Sequence, residues 1–124
     1  MTRSDLIAKL EAASEGSREL DGQVMLAMGE GFIWPENTHV TTSIDAIVRL
    51  IEKMLIDPYW EVHTNRVALG HYVANVGTRS RTWVGYSYVP YLALCIALLR
   101  TLDAKETAEK AAMDDMLEQD GDLL

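Results

Sequence analysis

The segment from Pro90 to Leu99 constrains the fold more than any other part of the sequence. It reads as a helix that is apolar on nearly every side, and it carries no charged residue before Arg100. A helix without a polar face must be covered on more than one side. The sequence therefore predicts a layered domain with this helix at its centre.

Three further helices are predicted N-terminal to it. Ser4 is a candidate cap for the first, and the second begins near Ser17. The third, within residues 42–55, has apolar residues at the helical spacing i, i+3, i+4, i+7. These residues are Ile44, Ile47, Val48, Ile51, Met54 and Leu55. This stripe predicts an amphipathic helix with one buried face.

Strands are predicted where the apolar period changes from three or four residues to two. Residues 60–64 alternate apolar and polar, a turn falls near residues 65 and 66, and β-branched and aromatic residues dominate 67–76. Residues 82–86 add a third strand, and residues 32–35 form a short extended segment. We therefore predict an α+β fold of order α-α-β-α-β-β-α, a small antiparallel sheet of two to four strands covered by helices in an α/β/α sandwich.

Charge is divided unevenly along the chain. The net charge is −8, and from Asp103 onward eight acidic residues against two lysines give −6. We expect residues 1–102 to form a single sandwich domain and residues 103–124 an acidic helical extension. Two interpretations of the extension stay open: a solvated helix, or an oligomer contact whose apolar residues meet a second chain.

Several classes of protein are disfavoured by composition. An acidic chain is repelled by nucleic acid, so general DNA or RNA binding is not expected. The apolar run at residues 88–99 is too short to cross a bilayer, and residues 1–10 carry charges unlike those of a signal peptide. The lone Cys95 lies in the apolar helix and is expected to be a core residue. We expect a cytoplasmic protein without membrane association.

The chain resembles the phage α/β/α sandwich domain family, small proteins encoded by tailed bacteriophages and prophages. The motifs that carry the resemblance are residues 5–13, residues 17–21 with Gly29, the pair Trp34-Pro35, residues 41–46 and residues 93–100. The resemblance implies a phage origin, a sandwich fold and a location in the host-cell cytoplasm. It implies no reaction.

No familiar catalytic or phosphate-binding motif is present. The three histidines, His39, His63 and His71, are scattered, so neither a metal nor another cofactor is expected. Asp21 and Asp45 are candidate functional carboxylates, but each also suits the first turn of a helix. An enzyme that uses either carboxylate with an arginine is therefore the last of three functional hypotheses.

Arginine supplies the most specific functional pattern. Between Val62 and Arg100 there are four arginines and no acidic residue. Guanidinium groups bind phosphate or carboxylate, and neighbouring aromatic rings can stack on them or on a base. The predicted ligand-binding residues are Arg66, Arg79, Arg81, Trp83, Tyr72 and Tyr86. In the alternative interpretation the arginines pair with tail carboxylates, within the chain or across a dimer.

Two non-enzymatic functions follow. The first is a phage accessory protein that binds or sequesters a small anionic, nucleotide-type signal of host defence. The second is an interaction module that inhibits or modulates a host or phage protein through the strand surface. Both are compatible with a homo-oligomer, which we also expect.

Overall fold

The computed structural model describes residues 2–28, 39–65 and 71–122, with side chains as far as residue 116. The helices are α1 (Arg3–Ala12), α2 (Arg18–Leu26), α3 (Ile44–Met54) and α4 (Pro90–Asp122). The strands are β1 (Tyr59–Thr64), β2 (Tyr72–Gly77) and β3 (Thr82–Ser87). Gly29, Trp34, Pro35, Arg66 and the predicted extended segment at 32–35 lie outside the described residues.

Hydroxyl side chains start the first three helices. Ser17 accepts a hydrogen bond from the Leu20 amide, and Ser43 accepts one from the Ala46 amide. Both helices therefore begin where the sequence indicates. The cap of α1 is Thr2 rather than the predicted Ser4, because Asp5 lies three residues after Thr2 and completes a capping box with it.

α3 buries the face that its apolar spacing predicts. Ile47, Leu50 and Ile51 are fully buried, while Ile44 is 38 % exposed. Leu50 belongs to the buried face although it was absent from the predicted stripe. The helix ends at Met54, and Asp57 takes a left-handed conformation (φ 52°) before β1 begins.

α4 is the centre of the molecule. Every residue from Leu92 to Leu99 has no solvent exposure, as expected of a helix without a polar face. The helix packs against the sheet and also against α1 and α3. Arg100 and Thr101 bond to strand carbonyls of Val84 and Val76, which ties α4 to the sheet.

The sheet is antiparallel, with strand order β1-β2-β3. Its register places Trp60 and Trp83 on either side of Val76, and Val62 and Gly85 on either side of Ala74. Ala74 and Val76 are fully buried, so this face lies against α4. The opposite face carries Tyr59, Glu61, His63, Val73, Asn75, Val84 and Tyr86.

Gly85 sets the close approach of β3 to α4. A Cβ atom at this position would meet the Ala93 carbonyl and come within 2.6 Å of the Ala97 nitrogen. The absence of a side chain at Gly85 is therefore what allows β3 to approach the central helix so closely.

The fold class is confirmed: the protein is α+β, with a small antiparallel sheet packed against helices. All three described strands follow α3 in the sequence, and the extended segment expected before α3 lies outside the described residues. None of the helices in the described part of the chain has the length and apolar character that crossing a membrane requires.

Candidate functional site

The β2–β3 hairpin ends in a rigid, two-residue turn. The Thr78 amide donates to the Arg81 carbonyl (2.9 Å), and the Arg81 amide donates to the Thr78 carbonyl (3.3 Å). The hydroxyl oxygens of Thr78 and Ser80 lie 3.0 Å apart and share a further hydrogen bond. These three bonds hold the backbone that carries Arg79 and Arg81 in one conformation.

Gly77 permits this turn to close. Its φ is 159°, and a Cβ atom there would meet the Arg81 carbonyl and lie 2.9 Å from Thr82 Cα. Only glycine leaves room for the two strands to approach so closely at the end of the hairpin.

Arg81 stacks on Trp83. The guanidinium carbon lies 4.8 Å from the centre of the indole ring, within the range of a cation–π interaction. The contact orders a long side chain that would otherwise be mobile, and it leaves the guanidinium edges available to an anion.

Arg79 and Arg81 are both exposed, and neither has a carboxylate within 4 Å among the described residues. Trp60 lies on the same face of the sheet as Trp83 and is 37 % exposed. We call Arg79, Arg81, Trp83 and Trp60 the Arg-Trp tip. It combines two available cations with two aromatic rings at one end of the sheet.

The structure brings together three of the six predicted ligand-binding residues: Arg79, Arg81 and Trp83. Tyr72 lies at the opposite end of β2, beside Ser87, and packs half-buried against the core. Tyr86 lies on the other face of the sheet and is 45 % exposed. Arg66 lies outside the described residues.

Trp60 was missing from the predicted site. The alternation of β1 puts Trp60 on the same side as Val62, but placing it across Val76 from Trp83 requires the register of all three strands. The alternation of apolar and polar residues within one strand does not define the register between strands.

Arg100 belongs to the framework rather than to the site. Its guanidinium donates to the Val84 carbonyl (2.8 Å) and pairs with Glu11 (3.4 Å). One of the four arginines therefore pairs with a carboxylate of its own chain. The carboxylate comes from α1 and not from the acidic tail.

Asp21 is a buried structural carboxylate. One of its oxygens accepts from the Thr41 amide (2.8 Å) and lies 2.6 Å from the Thr41 hydroxyl; the other lies 3.5 Å from His39 Nδ1. These contacts fasten the segment before α3 to α2. Asp45 is exposed in the first turn of α3, where it complements the helix dipole.

Neither the Cys95 thiol nor a cluster of metal-ligating side chains offers a second candidate site in the described chain. Cys95 has no solvent exposure and its Sγ donates to the Val40 carbonyl, and burial raises the pKa of the thiol far above its usual range. Within residues 2–28, 39–65 and 71–116, no three His, Cys, Asp or Glu side chains are grouped so as to hold a metal ion.

A cleft of about 340 Å³ lies between α1 and α2, bordered by Arg3 and Gln23. The Arg3 guanidinium is already occupied: it donates to the Ala27 carbonyl and pairs with Asp103 and Glu106. The cleft therefore offers no free positive charge, unlike the Arg-Trp tip.

Comparison with known proteins gives no match: no family model, no curated protein and no solved structure is significantly similar to this chain. The resemblance to the phage α/β/α sandwich domain family stays a prediction.

Proposed function

We propose that this chain is a non-catalytic binding protein that docks the Arg-Trp tip onto an acidic surface of a partner protein. The observation that carries the proposal is the pair of exposed guanidiniums, at Arg79 and Arg81, with no carboxylate partner in the described chain. Uncompensated charges held on a stiff turn lose little conformational entropy when they bind.

The shape of the tip favours a macromolecular partner. Residues 79–81 are exposed at the end of a hairpin, and the two tyrosines expected to enclose a ligand lie elsewhere. Arginine and tryptophan are the residue types most enriched among the dominant contacts of protein interfaces. In the phage setting that the resemblance implies, the partner is a host or phage protein.

The experiment is quantitative affinity capture with the Arg79→Glu/Arg81→Glu variant. We expect a partner captured by the unmodified protein to bind the variant at least about tenfold more weakly, because charge-assisted hydrogen bonds are lost and like charges are opposed. The matched control is Arg18→Glu/Arg49→Glu, which reverses two exposed arginines on α2 and α3. A partner retained equally by both variants would contradict the proposal.

Nucleotide binding is a second candidate, favoured by the stacking of Arg81 on Trp83. A phosphate could accept from the guanidiniums while a base stacks on the exposed Trp60 ring. Calorimetry with cyclic di- and trinucleotides tests it: heat of binding that disappears in Arg79→Ala and Trp60→Ala would favour a sequestered nucleotide signal over a protein partner. Absence of binding by the unmodified protein would remove this candidate.

A further inference from the structure

Among the described strands, β1 lies at one edge of the sheet, and one hydrogen bond defines which of its backbone groups face β2. The Asn65 amide donates to the His71 carbonyl (2.9 Å), so Asn65 and His71 form a hydrogen-bonded pair of the β1–β2 ladder. Such pairs recur every second residue, which makes residues 59, 61 and 63 the partners of β2. The N–H and C=O groups of residues 60, 62 and 64 therefore point away from the sheet.

The two edges of the sheet differ. On β3 the outward carbonyl of Val84 is occupied by the Arg100 guanidinium. Among the outward backbone groups of β1, the Thr64 carbonyl is the one for which the described chain shows a contact: His63 Nδ1 lies 3.3 Å from it. Five of the six side chains of β1 are exposed, so a row of backbone donors and acceptors is accessible. An exposed row of this kind is a template for another strand.

A second copy of β1 matches this edge in one antiparallel register. When Val62 lies opposite Val62 of the copy, Trp60 of each strand lies opposite Thr64 of the other. The outward backbone N–H and C=O groups of the two strands then form hydrogen-bonded pairs. Glu61 is then opposite His63, and two-fold symmetry makes this pair twice. Moving the copy by two residues in one direction places Glu61 opposite Glu61, and like charges directly opposite are destabilising. Moving it in the other direction places His63 opposite His63 and loses both Glu61–His63 pairs.

The Glu61 carboxylate is already held in place for this contact. Asn75 donates to one of its oxygens (3.0 Å) and the Tyr59 hydroxyl to the other (3.1 Å). Glu61 and His63 share the face of the sheet away from α4, and both are exposed. In the matched register they form a non-hydrogen-bonded pair, the type whose side chains lie closest together. An imidazole N–H can then donate to the carboxylate of the partner strand.

We infer that this protein forms a two-fold symmetric dimer by antiparallel pairing of β1 with β1 of a second copy, which joins the described three-stranded sheets of the two copies edge to edge. The partner is identified by complementarity: the outward backbone groups of the two strands have matching parity, and this register places Glu61 of each copy opposite His63 of the other. The dimer surface shares Trp60 with the Arg-Trp tip, but the variants that test it, at Glu61, His63 and Thr64, change no residue of the tip.

The first test is Thr64→Pro, measured by sedimentation equilibrium over a concentration series. Thr64 N–H points away from β2, so proline removes a donor from the dimer and leaves the β1–β2 ladder intact. Because each copy carries the substitution, the dimer loses two backbone hydrogen bonds. We expect its dissociation constant to rise at least about tenfold. The control is Thr82→Pro, which makes the same change on the outward side of β3, and circular dichroism of both variants reports the fold.

Charge exchange tests the register. Glu61→Lys should weaken the dimer, because the carboxylate that accepts from His63 is lost, and adding His63→Glu should restore it, because a lysine then lies opposite a glutamate. A monomer throughout the concentration series, or a dimer unaffected by Thr64→Pro and by Glu61→Lys, would overturn the inference. The latter result would point to a dimer held by the α4 extension instead.

Discussion

At the residue scale, stability depends on a few side chains that join segments distant in sequence. Asp21 illustrates this, because its buried carboxylate satisfies the backbone N–H of Thr41, 20 residues away. Leaving a buried donor without a partner costs more free energy than the bond itself contributes. The sequence indicated Asp21 as a candidate functional carboxylate, whereas in the structure it tethers the segment before α3 to α2.

Asp21→Ala should therefore lower the free energy of unfolding by about 1–3 kcal/mol, since the Thr41 amide loses its acceptor. Asp21→Asn keeps one carbonyl oxygen as an acceptor and should cost less. Urea denaturation measures both, with the exposed Glu19→Ala as the control from the same helix. Equal stability of Asp21→Ala and Glu19→Ala would show that the tether contributes nothing.

Two glycines should respond oppositely to the same substitution. Gly85→Ala places a methyl group against the backbone of α4 and should destabilise by about 1–3 kcal/mol or more. Gly22→Ala, exposed within α2 with nothing within 4 Å of the new Cβ, should stabilise by about 0.5–1 kcal/mol. Thermal unfolding of the two variants checks the predicted signs, and two shifts of the same sign would contradict the geometry.

At the scale of elements, α4 is one helix with two environments. Its first half is enclosed, whereas the side chains of residues 105–116 are all exposed, including Met113 (64 %) and Met116 (65 %). The helix is about 50 Å long at 1.5 Å per residue, so it extends well beyond the layer that covers it. The sequence predicted a buried first half, because residues 90–99 carry no charge, and an acidic helical extension after it, because residues 103–124 are rich in charge.

Ending the chain at Thr107 should change the free energy of unfolding by no more than about 0.5 kcal/mol, the range of substitutions at exposed positions. The truncation keeps Asp103 and Glu106, which pair with Arg3. Chemical denaturation of the shortened and full chains gives the comparison. A loss as large as that of Asp21→Ala would show that the extension supports the core.

At the scale of the whole molecule, Arg3 connects three helices. From the first turn of α1 it donates to the Ala27 carbonyl after α2 and pairs with Asp103 and Glu106 on α4. The guanidinium side chain is 14 % exposed, so these bonds are partly shielded from water. The same arginine lowers the pKa of Glu106, chiefly through their hydrogen bond.

Arg3→Ala should lower the free energy of unfolding at neutral pH by about 1–3 kcal/mol, more than the exposed Arg18→Ala. Because the pKa of Glu106 is lower in the folded state, its contribution is complete above the unfolded value, near roughly 4.3, and is lost as the pH falls through the folded value. The difference between the unmodified protein and Arg3→Ala should therefore shrink below about pH 4. Denaturation series at several pH values measure it, and a difference that grows in acid would contradict this account.

The sequence by itself indicated the four helices, the presence of three strands between α3 and α4, and the central position of α4. Caps such as Ser17 and Ser43, the apolar stripe of α3 and the uncharged run before Arg100 act through neighbouring residues, so their effect is visible in a linear chain. The N-cap of α1 is also a local feature. The three-residue spacing from Thr2 to Asp5, which forms a capping box, favours Thr2 over Ser4 as the cap.

Only the tertiary structure decided which side chains share a site. Tyr72, Tyr86 and Trp83 are close in sequence, yet register and pleat place them at different ends or faces of the sheet. Arg100 pairs with Glu11, 89 residues away in sequence, whereas Arg79 and Arg81 have no carboxylate within 4 Å in the described chain. Partners of this kind depend on how the layers stack and on where strands align, and neither is encoded in the spacing of nearby residues.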